Sequence, residues 1–350
     1  MEEQTFVPAA ETVARFAHQL DGLVAADANI GVAVSGGPDS LALLLLAAAA
    51  RPGSVEAATV DHGFRPESRD EARMVAGVCE KLGVPHATLA VRWERIPETA
   101  VQERARKERY RLLGFWAEER GLDAVATGHH ADDQAETFLM RLNRGAGVRG
   151  LAAMRPRSFV PGGEARLIRP LLAWRRSALE EICSAAGLSP AIDPSNEDDR
   201  FERVRVRRAL ASSDWLETEA VSRAASHLAE ADVALDWAAR AEWERSVREK
   251  KNLIVFRPAD QPREILRRIA ARAVRKLATE GDRDLRGAEL DRLLATLTEG
   301  GTATLRGVVS AGGAEWRFTR APVRTLTHFG PPRVHLVLSL ALLLAGMRLF

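Results

Sequence analysis

Ser35-Gly36-Gly37-Pro38-Asp39-Ser40 combines residue types and spacing suited to gripping an anion. It lies between the apolar run Ile30-Gly31-Val32-Ala33-Val34 and a stretch opening Leu41-Ala42-Leu43-Leu44-Leu45-Leu46. A tight turn from a strand into a helix presents hydroxyls and unpaired backbone N–H groups at the helix N-terminus, where the dipole favours negative charge. Gly36 and Gly37 allow the main chain to approach a phosphate closely, and Pro38 suits an early helical position. The nucleotide loop G-x-x-x-x-G-K-[ST], with its phosphate-reaching lysine, is absent; one aspartate and two serines stand instead. The plainer alternative is a glycine-rich connection with no ligand.

A second constellation is Gly128-His129-His130-Ala131-Asp132-Asp133-Gln134-Ala135-Glu136-Thr137. Asp133 and Glu136 are three apart and share a helix face, and Asp132 and Glu136 are four apart. The helix dipole accounts for one or two acids in a first turn, but a cluster of like charges needs a neutralising cation. Mg²⁺ accompanied by phosphates, or the ammonium of an amine substrate, would serve. The histidine pair lacks the spacing of a zinc-binding helix face.

These residues must be held by regular elements. The first half alternates short apolar runs with longer amphipathic ones, the pattern of a parallel sheet covered by helices. Strands are expected at Ile30–Val34, Val55–Val60, His86–Val91, Ala124–Thr127 and Leu167–Arg169. Helices are expected at Leu41–Ala50, Ser68–Leu82, Val101–Arg120, Asp132–Leu142 and Trp174–Ala186. The polar motifs then follow strand ends: Ser35–Ser40 the first, Asp61-His62-Gly63-Phe64-Arg65 the second and Gly128-His129-His130 the fourth. Ligands of open parallel sheets bind at that edge.

From about residue 215 the composition shifts to Ala-, Glu- and Arg-rich helices at Val221–Lys250, Pro262–Ala278 and Leu285–Leu297. A closing hairpin is expected from Thr302–Ser310 and Ala314–Arg320. The expected division is therefore an α/β unit over 1–214, a mainly helical unit over 215–330 and an apolar tail over 331–350.

At 350 residues, with 28% charged and 46% hydrophobic residues, the chain has the composition of an ordinary globular protein. Cys79 and Cys183 form no C-x-x-C pair, which argues against a disulfide scaffold, a structural zinc site and a cysteine-ligated iron–sulfur cluster. The acidic start Met1-Glu2-Glu3 carries no secretory signal, so a cytoplasmic location is expected. Val334–Phe350 is apolar but shorter than the roughly 20 residues that span a bilayer, and no membrane partner is expected.

The net charge of +2 hides a local concentration. Between Arg141 and Arg176 nine arginines stand against the single acid Glu164, and Arg200, Arg203, Arg205, Arg207 and Arg208 follow against Glu202. Arginine suits bidentate phosphate contact, so nucleic acid is the expected partner. The alternative is pairing with acids elsewhere in the fold.

The loop Ser35–Ser40 resembles the SGGxDS loop of enzymes that split ATP between its α and β phosphates. Several further segments resemble the tRNA(Ile)-lysidine synthase family: Val60-Asp61-His62-Gly63-Phe64-Arg65-Pro66-Glu67-Ser68, Arg106 with Arg109-Tyr110, and His129–Thr137 with Leu139-Met140-Arg141-Leu142. Gly145–Met154, Arg169-Pro170-Leu171-Leu172 and Asp193-Pro194-Ser195-Asn196 complete the match. It covers roughly residues 28–210.

The resemblance implies a PP-loop, Rossmann-like fold and an ATP- and Mg²⁺-dependent ligase. Its reaction adenylates the wobble cytidine of the CAU anticodon of tRNA(Ile), releasing pyrophosphate, and free L-lysine then displaces AMP to leave lysidine. It places ATP on Ser35, Gly36, Gly37, Pro38, Asp39, Ser40, Asp61 and His62, with Asp39 also positioning Mg²⁺. Lysine falls to Asp132, Asp133 and Glu136, and His130 is the expected proton acceptor. Asp39, His130, Asp133 and Glu136 form the expected catalytic set. Arg141, Arg144, Arg149, Arg203 and Arg207 are the expected tRNA contacts, joined by the 215–330 unit. Family members often carry Arg-Asn where this chain has Arg203-Val204, so an amide role there is missing. The chain also lacks much of the C-terminal extension of longer members, which implies simpler recognition of the tRNA body. Oligomeric state is left open.

Three rival functions fit the sequence less well. A PP-loop tRNA thiolase needs cysteines inside motifs, and this chain has none there. A glutamine-dependent amide ligase needs an N-terminal cysteine nucleophile, also absent. A tRNA-binding module with a dead loop fits poorly with intact Ser35, Asp39 and Ser40.

Overall fold

The computed structural model describes residues 6–64, 67–93, 95, 99–191, 200–278, 285 and 287–321. The turn expected at Asp193–Asn196, residues Arg65 and Pro66, and the apolar tail 331–350 lie outside the described residues.

The first unit is built on six strands: β1 (Ile30–Ala33), β2 (Val55–Asp61), β3 (His86–Ala90), β4 (Ala124–Thr127), β5 (Arg157–Phe159) and β6 (Arg166–Ile168). Their spatial order is β3-β2-β1-β4-β6-β5, with five strands parallel and β5 antiparallel at the edge. Among the described residues eight helices accompany them: α1 (Ala10–Asp21), α2 (Pro38–Ala50), α3 (Glu67–Leu82), α4 (Val101–Arg120), α5 (Ala131–Asn143), α6 (Val148–Leu151), α7 (Arg176–Ala185) and α8 (Glu202–Ala211).

Burial explains the pattern of apolar runs. Every residue of β4 is buried, as a central parallel strand covered on both faces requires. Helix α2 buries Leu41 through Ala47 without a polar stripe, because the sheet lies on one side and α1 and α7 on the other. Its core joins Phe16, Val32, Leu44 and Trp174, while Tyr110, Leu113, Trp116 and Leu167 form a second core over the opposite face.

The later part holds α9 (Thr218–Ser246), β7 (Val247–Lys250), β8 (Leu253–Phe256), α10 (Arg263–Leu277), α11 (Gly287–Thr298), β9 (Thr302–Leu305), β10 (Val308–Ala311) and β11 (Trp316–Arg320). Its own core gathers Phe256, Ile269, Val274, Leu297, Trp316 and Phe318. The strands make a five-stranded antiparallel sheet in the order β7-β8-β11-β10-β9.

Two expectations are corrected here. The helix expected through Lys250 ends at Ser246, because Val247–Lys250 pairs as a strand with Leu253–Phe256. Ladder pairing overrides the helix preference of Glu249 and Lys250. The strand expected over Thr302–Ser310 is itself a hairpin, turning at Arg306 (φ 51°) and Gly307 (φ 71°). Two successive positive φ values suit a tight two-residue hairpin turn.

Candidate active site

Strands β2, β1 and β4 are adjacent and parallel, so the three polar motifs that follow them meet at one carboxyl edge of the sheet. Gly36 turns the chain with φ 87°, and Gly37 enters α2 in extended conformation, ahead of Pro38 at the first helical position. The two serines hold the loop together. Ser35 N–H donates to Ser40 Oγ at 3.1 Å, Ser40 Oγ donates to the Gly37 carbonyl at 2.9 Å, and the two hydroxyls lie 3.2 Å apart. Gly128, just past β4, runs against this turn: a Cβ there would lie 2.9 Å from the Asp39 carbonyl oxygen and 3.1 Å from Ser40 N. The close approach brings the His129–Glu136 motif beside the loop.

His130 is the hub of the two motifs and is 3% exposed. Its Nε2 lies 3.5 Å from both Asp39 Oδ2 and Asp133 Oδ2, and its Nδ1 lies 3.4 Å from Asp132 Oδ2. The His130 N–H donates to Asp133 Oδ2 at 3.1 Å, closing the start of α5. Burial favours the neutral ring, but Asp132, Asp39 and Asp133 outweigh it and raise the pKa to about 10. The expected proton-acceptor role would have to be played from this ring of carboxylates, which favours the charged form of His130.

His129, which the expected site set omitted, has the opposite character. Its Nδ1 lies 2.8 Å from Thr127 Oγ1. Burial lowers its pKa to about 4, helped by Arg169, Arg106 and Arg203 against the opposing charge of Asp133. Its signal in the sequence was its place at a strand end, shared with His130.

The acidic residues are already engaged. Asp132 accepts the Arg176 N–H at 2.9 Å and faces Arg175 at 3.2–3.3 Å, while Arg175 also pairs with Glu219 on α9. Burial opposes ionisation of Asp132, yet His130, the Arg176 amide and Arg175 hold its carboxyl well below the usual range. Burial likewise opposes ionisation of Asp133, and His130 and Arg203 overcome it. Glu136 is 1% exposed and takes Arg203 Nε at 2.5 Å on one oxygen and Arg207 Nε at 2.6 Å on the other. Arg203 also donates to Asp133 at 2.5 Å. Glu136, expected to attract lysine, is buried and held by two guanidiniums from α8.

The expected tRNA-contacting arginines also have partners within the fold. Arg203 and Arg207 turn inward to Glu136. Arg141 donates to the carbonyls of Gly150 and Ala153. Arg144 pairs with Glu202, and Arg149 with Asp232 and Asp236. Arg155, Arg175 and Arg176 of the same run also face carboxylates. Pairing within the fold accounts for much of this basic stretch, and Arg144 and Arg149 keep substantial exposure.

At the end of β2, Asp61 accepts the Gly63 N–H at 2.8 Å, and Trp93 donates to the His62 carbonyl at 2.8 Å. Phe64 stacks between His62 and Trp93, with ring centres 5.9 and 5.3 Å away. Burial and the Arg109 charge push His62 down to about 4 against Asp61, so this ring is neutral. Asp39 keeps one oxygen, Oδ1, buried without a hydrogen-bond partner among the described residues. Among the described residues no group of three or more His, Cys, Asp or Glu is arranged to hold a metal ion unaided. A single carboxylate beside a phosphate-type loop fits Mg²⁺, which commonly takes one or two carboxylates with substrate phosphates.

Residues 9–213 match the PP-loop domain family. A tRNA(Ile)-lysidine synthase of Novosphingobium aromaticivorans is 52% identical over 296 residues, covering 84% of this chain and 89% of the relative. One from a Bradyrhizobium species is 40% identical over 355 residues, covering 92% and 97%. This chain belongs to the tRNA(Ile)-lysidine synthase family. It is a ligase. The U34-tRNA thiolase NcsA of Methanococcus maripaludis, solved with its [4Fe-4S] cluster, shares the fold at 17% identity and TM-score 0.53, covering 64% of this chain and 79% of that one.

The lysidine synthase family relation also fits the cysteines. Cys79 and Cys183 are both buried and free. Burial pushes the Cys79 thiol up to about 11, and burial with the Asp39 charge pushes Cys183 up to about 12, so neither is poised as a thiolate. Among the described residues no helix is long and apolar enough to cross a membrane.

Proposed function

We propose that this chain joins free L-lysine to the wobble cytidine of the CAU anticodon of tRNA(Ile), through an adenylated cytidine. The ring carbonyl oxygen of the cytosine attacks the α phosphate of ATP and pyrophosphate leaves. The ε-amine of lysine then adds at the ring carbon, and the C–O bond breaks to release AMP. One observation carries this reading: an anion-cradling loop and a carboxylate cluster meet at His130, within 3.5 Å of Asp39, Asp132 and Asp133.

The parts take distinct roles. Ser35, Gly36, Gly37, Pro38 and Ser40 receive the departing pyrophosphate, with Asp61 and His62 flanking the nucleotide. Asp39 would hold Mg²⁺ through its unpartnered oxygen, and that ion would supply charge stabilisation on the phosphates. Protonated His130 fixes Asp39, Asp132 and Asp133 relative to one another. Asp132 and Asp133 face lysine, and the guanidiniums of Arg175 and Arg203 beside them make the pocket suit a zwitterionic amino acid better than a bare cation. Neutral His129 is assigned the proton that the attacking amine must lose. Glu136 positions Arg203 and Arg207. ATP and free lysine as co-substrates point to the cytoplasm.

The test is a partial-reaction assay on the purified chain. Pyrophosphate release is expected to require tRNA(Ile), and AMP release to require lysine as well. Pyrophosphate release that ignores tRNA(Ile), or AMP release that ignores lysine, overturns the reading.

A further inference from the structure

The inward turn of Arg141, Arg203 and Arg207 leaves open which cations meet the RNA. A concave pocket of about 500 Å³ lies where α6 of the sheet unit meets α9 and α10. Six of its nine lining residues are basic, namely Arg149, Arg240, Arg268, Arg272, Arg275 and Lys276, and one, Asp236, is acidic.

The acids are engaged at the floor. Arg268 is buried and donates to Asp232 at 2.5 Å, to Asp236 at 2.6 Å and to Glu264 at 2.9 Å. Arg149 shares Asp232 and Asp236, and Arg155 reaches Asp232 from the sheet unit. Burial opposes ionisation of Asp232, and these guanidiniums hold its carboxyl below its ordinary value. This network locks α6 to α9 and α10, so the pocket is a preformed seat spanning both units.

The rim is different. Arg240 is exposed, and no ion pair engages it among the described residues. Arg272 lies over the Trp243 ring, 4.6 Å from its centre, which holds the guanidinium through its face and leaves its edge N–H groups for a ligand. Lys276 pairs with Glu249 at 2.6 Å beside the same ring. Trp237, 72% exposed, sits three residues before Arg240 on the same face of α9. An exposed arginine and a half-buried one near a solvent-facing aromatic ring suit a nucleic-acid backbone with a stacking base.

We infer that this pocket between α6, α9 and α10 seats the sugar-phosphate backbone of the RNA substrate, with Arg240 and Arg272 as its phosphate contacts and Trp237 as a flanking stacking surface. The inference rests on the reading of the substrate as a tRNA, and it adds Arg240 and Arg272 of α9 and α10 to the expected contacts, of which Arg149 shares the pocket.

The experiment measures binding of a tRNA(Ile) transcript to the full chain at several salt concentrations, for wild type, Arg240→Gln with Arg272→Gln, Arg240→Lys with Arg272→Lys, and Trp237→Ala. The double glutamine variant should bind about tenfold more weakly, and its plot of log affinity against log salt should flatten by about one to two. KM for tRNA should rise while the KM values for ATP and lysine hold. The double lysine variant should recover most of the loss, because the charge is kept. Trp237→Ala should weaken binding without changing the salt slope. A folded glutamine variant with wild-type affinity and slope overturns the proposal, and would leave the face to a protein partner. If the wild-type chain binds tRNA and the variants weaken it, yet no modified base forms, the pocket stands and the reaction reading falls.

Discussion

The Glu136–Arg207 pair separates a positioning carboxylate from a substrate-binding one. Glu136 is 1% exposed, while the Arg203 and Arg207 side chains retain 39% and 33% exposure. Removing one partner of a fully buried ion pair costs about 3–5 kcal/mol. Water reaches both guanidiniums here, and the glutamine carbonyl of Glu136→Gln still accepts one hydrogen bond, so about 2–3 kcal/mol is expected. For a unit of this size that is a fall in Tm of about 4–10 °C. Arg207→Gln alone should cost less, about 1–2 kcal/mol, since Arg203 still neutralises the carboxylate. The double variant should then be more stable than the sum of the two losses implies, by a coupling of about 1–2 kcal/mol. Thermal and urea melts of the four proteins give this cycle. A coupling near zero, or Glu136→Gln melting with wild type while its KM for lysine rises sharply, would refute the positioning role.

Other expectations follow from the same geometry. His62 and His129, pushed to about 4, are neutral in the folded chain but protonate near 6.5 once unfolded, so the stability they contribute above pH 6.5 is lost as pH falls toward 4. His130, raised to about 10, contributes fully below pH 6.5 and loses that contribution as pH rises through 10. Melts across this range should peak near neutrality, with His130→Gln flattening the alkaline limb and His62→Gln the acid limb; unaltered limbs would contradict both assignments. Gly128→Ala places a methyl against the Asp39 and Ser40 backbone, which cannot yield as a flexible side chain would, and should cost about 1–3 kcal/mol and raise KM for ATP. An unchanged KM for ATP would show that the loop does not depend on that approach. Asp133→Asn should raise KM for lysine about tenfold with a smaller change for ATP, since charge-assisted bonds to an ammonium are lost; equal shifts would remove Asp133 from the lysine pocket.

Much of the catalytic unit was legible before any coordinates. The strands expected to end at Val34, Val60 and Thr127 end at Ala33, Asp61 and Thr127, because short β-branched and alanine-rich runs alternate with longer helical ones, and the motifs that follow them meet as parallel topology requires. Helix α4 was placed from Val101 to Arg120 with both ends correct, Gly121 ending it in left-handed conformation.

What escaped depended on partners far along the chain. The buried state of Glu136 needs α8, some 65 residues on, and periodicity alone cannot tell a carboxylate facing arginines from one facing solvent. His129 and His130 are neighbours of identical type, and only the surrounding charges separate a neutral ring from an imidazolium. Arg175, which ties Asp132 to Glu219 on α9, carried no motif. The strand Val247–Lys250 reads as helix until Leu253–Phe256 is there to pair with it.

Mass analysis of the nucleosides of tRNA(Ile), after incubation with the purified chain, ATP, Mg²⁺ and isotopically labelled lysine, bears most directly on the whole argument. The wobble cytidine should be replaced by a base heavier by one lysine residue and carrying the label, with AMP and pyrophosphate formed in equal amounts. Unmodified cytidine under those conditions, or a modified base without the label, would contradict it.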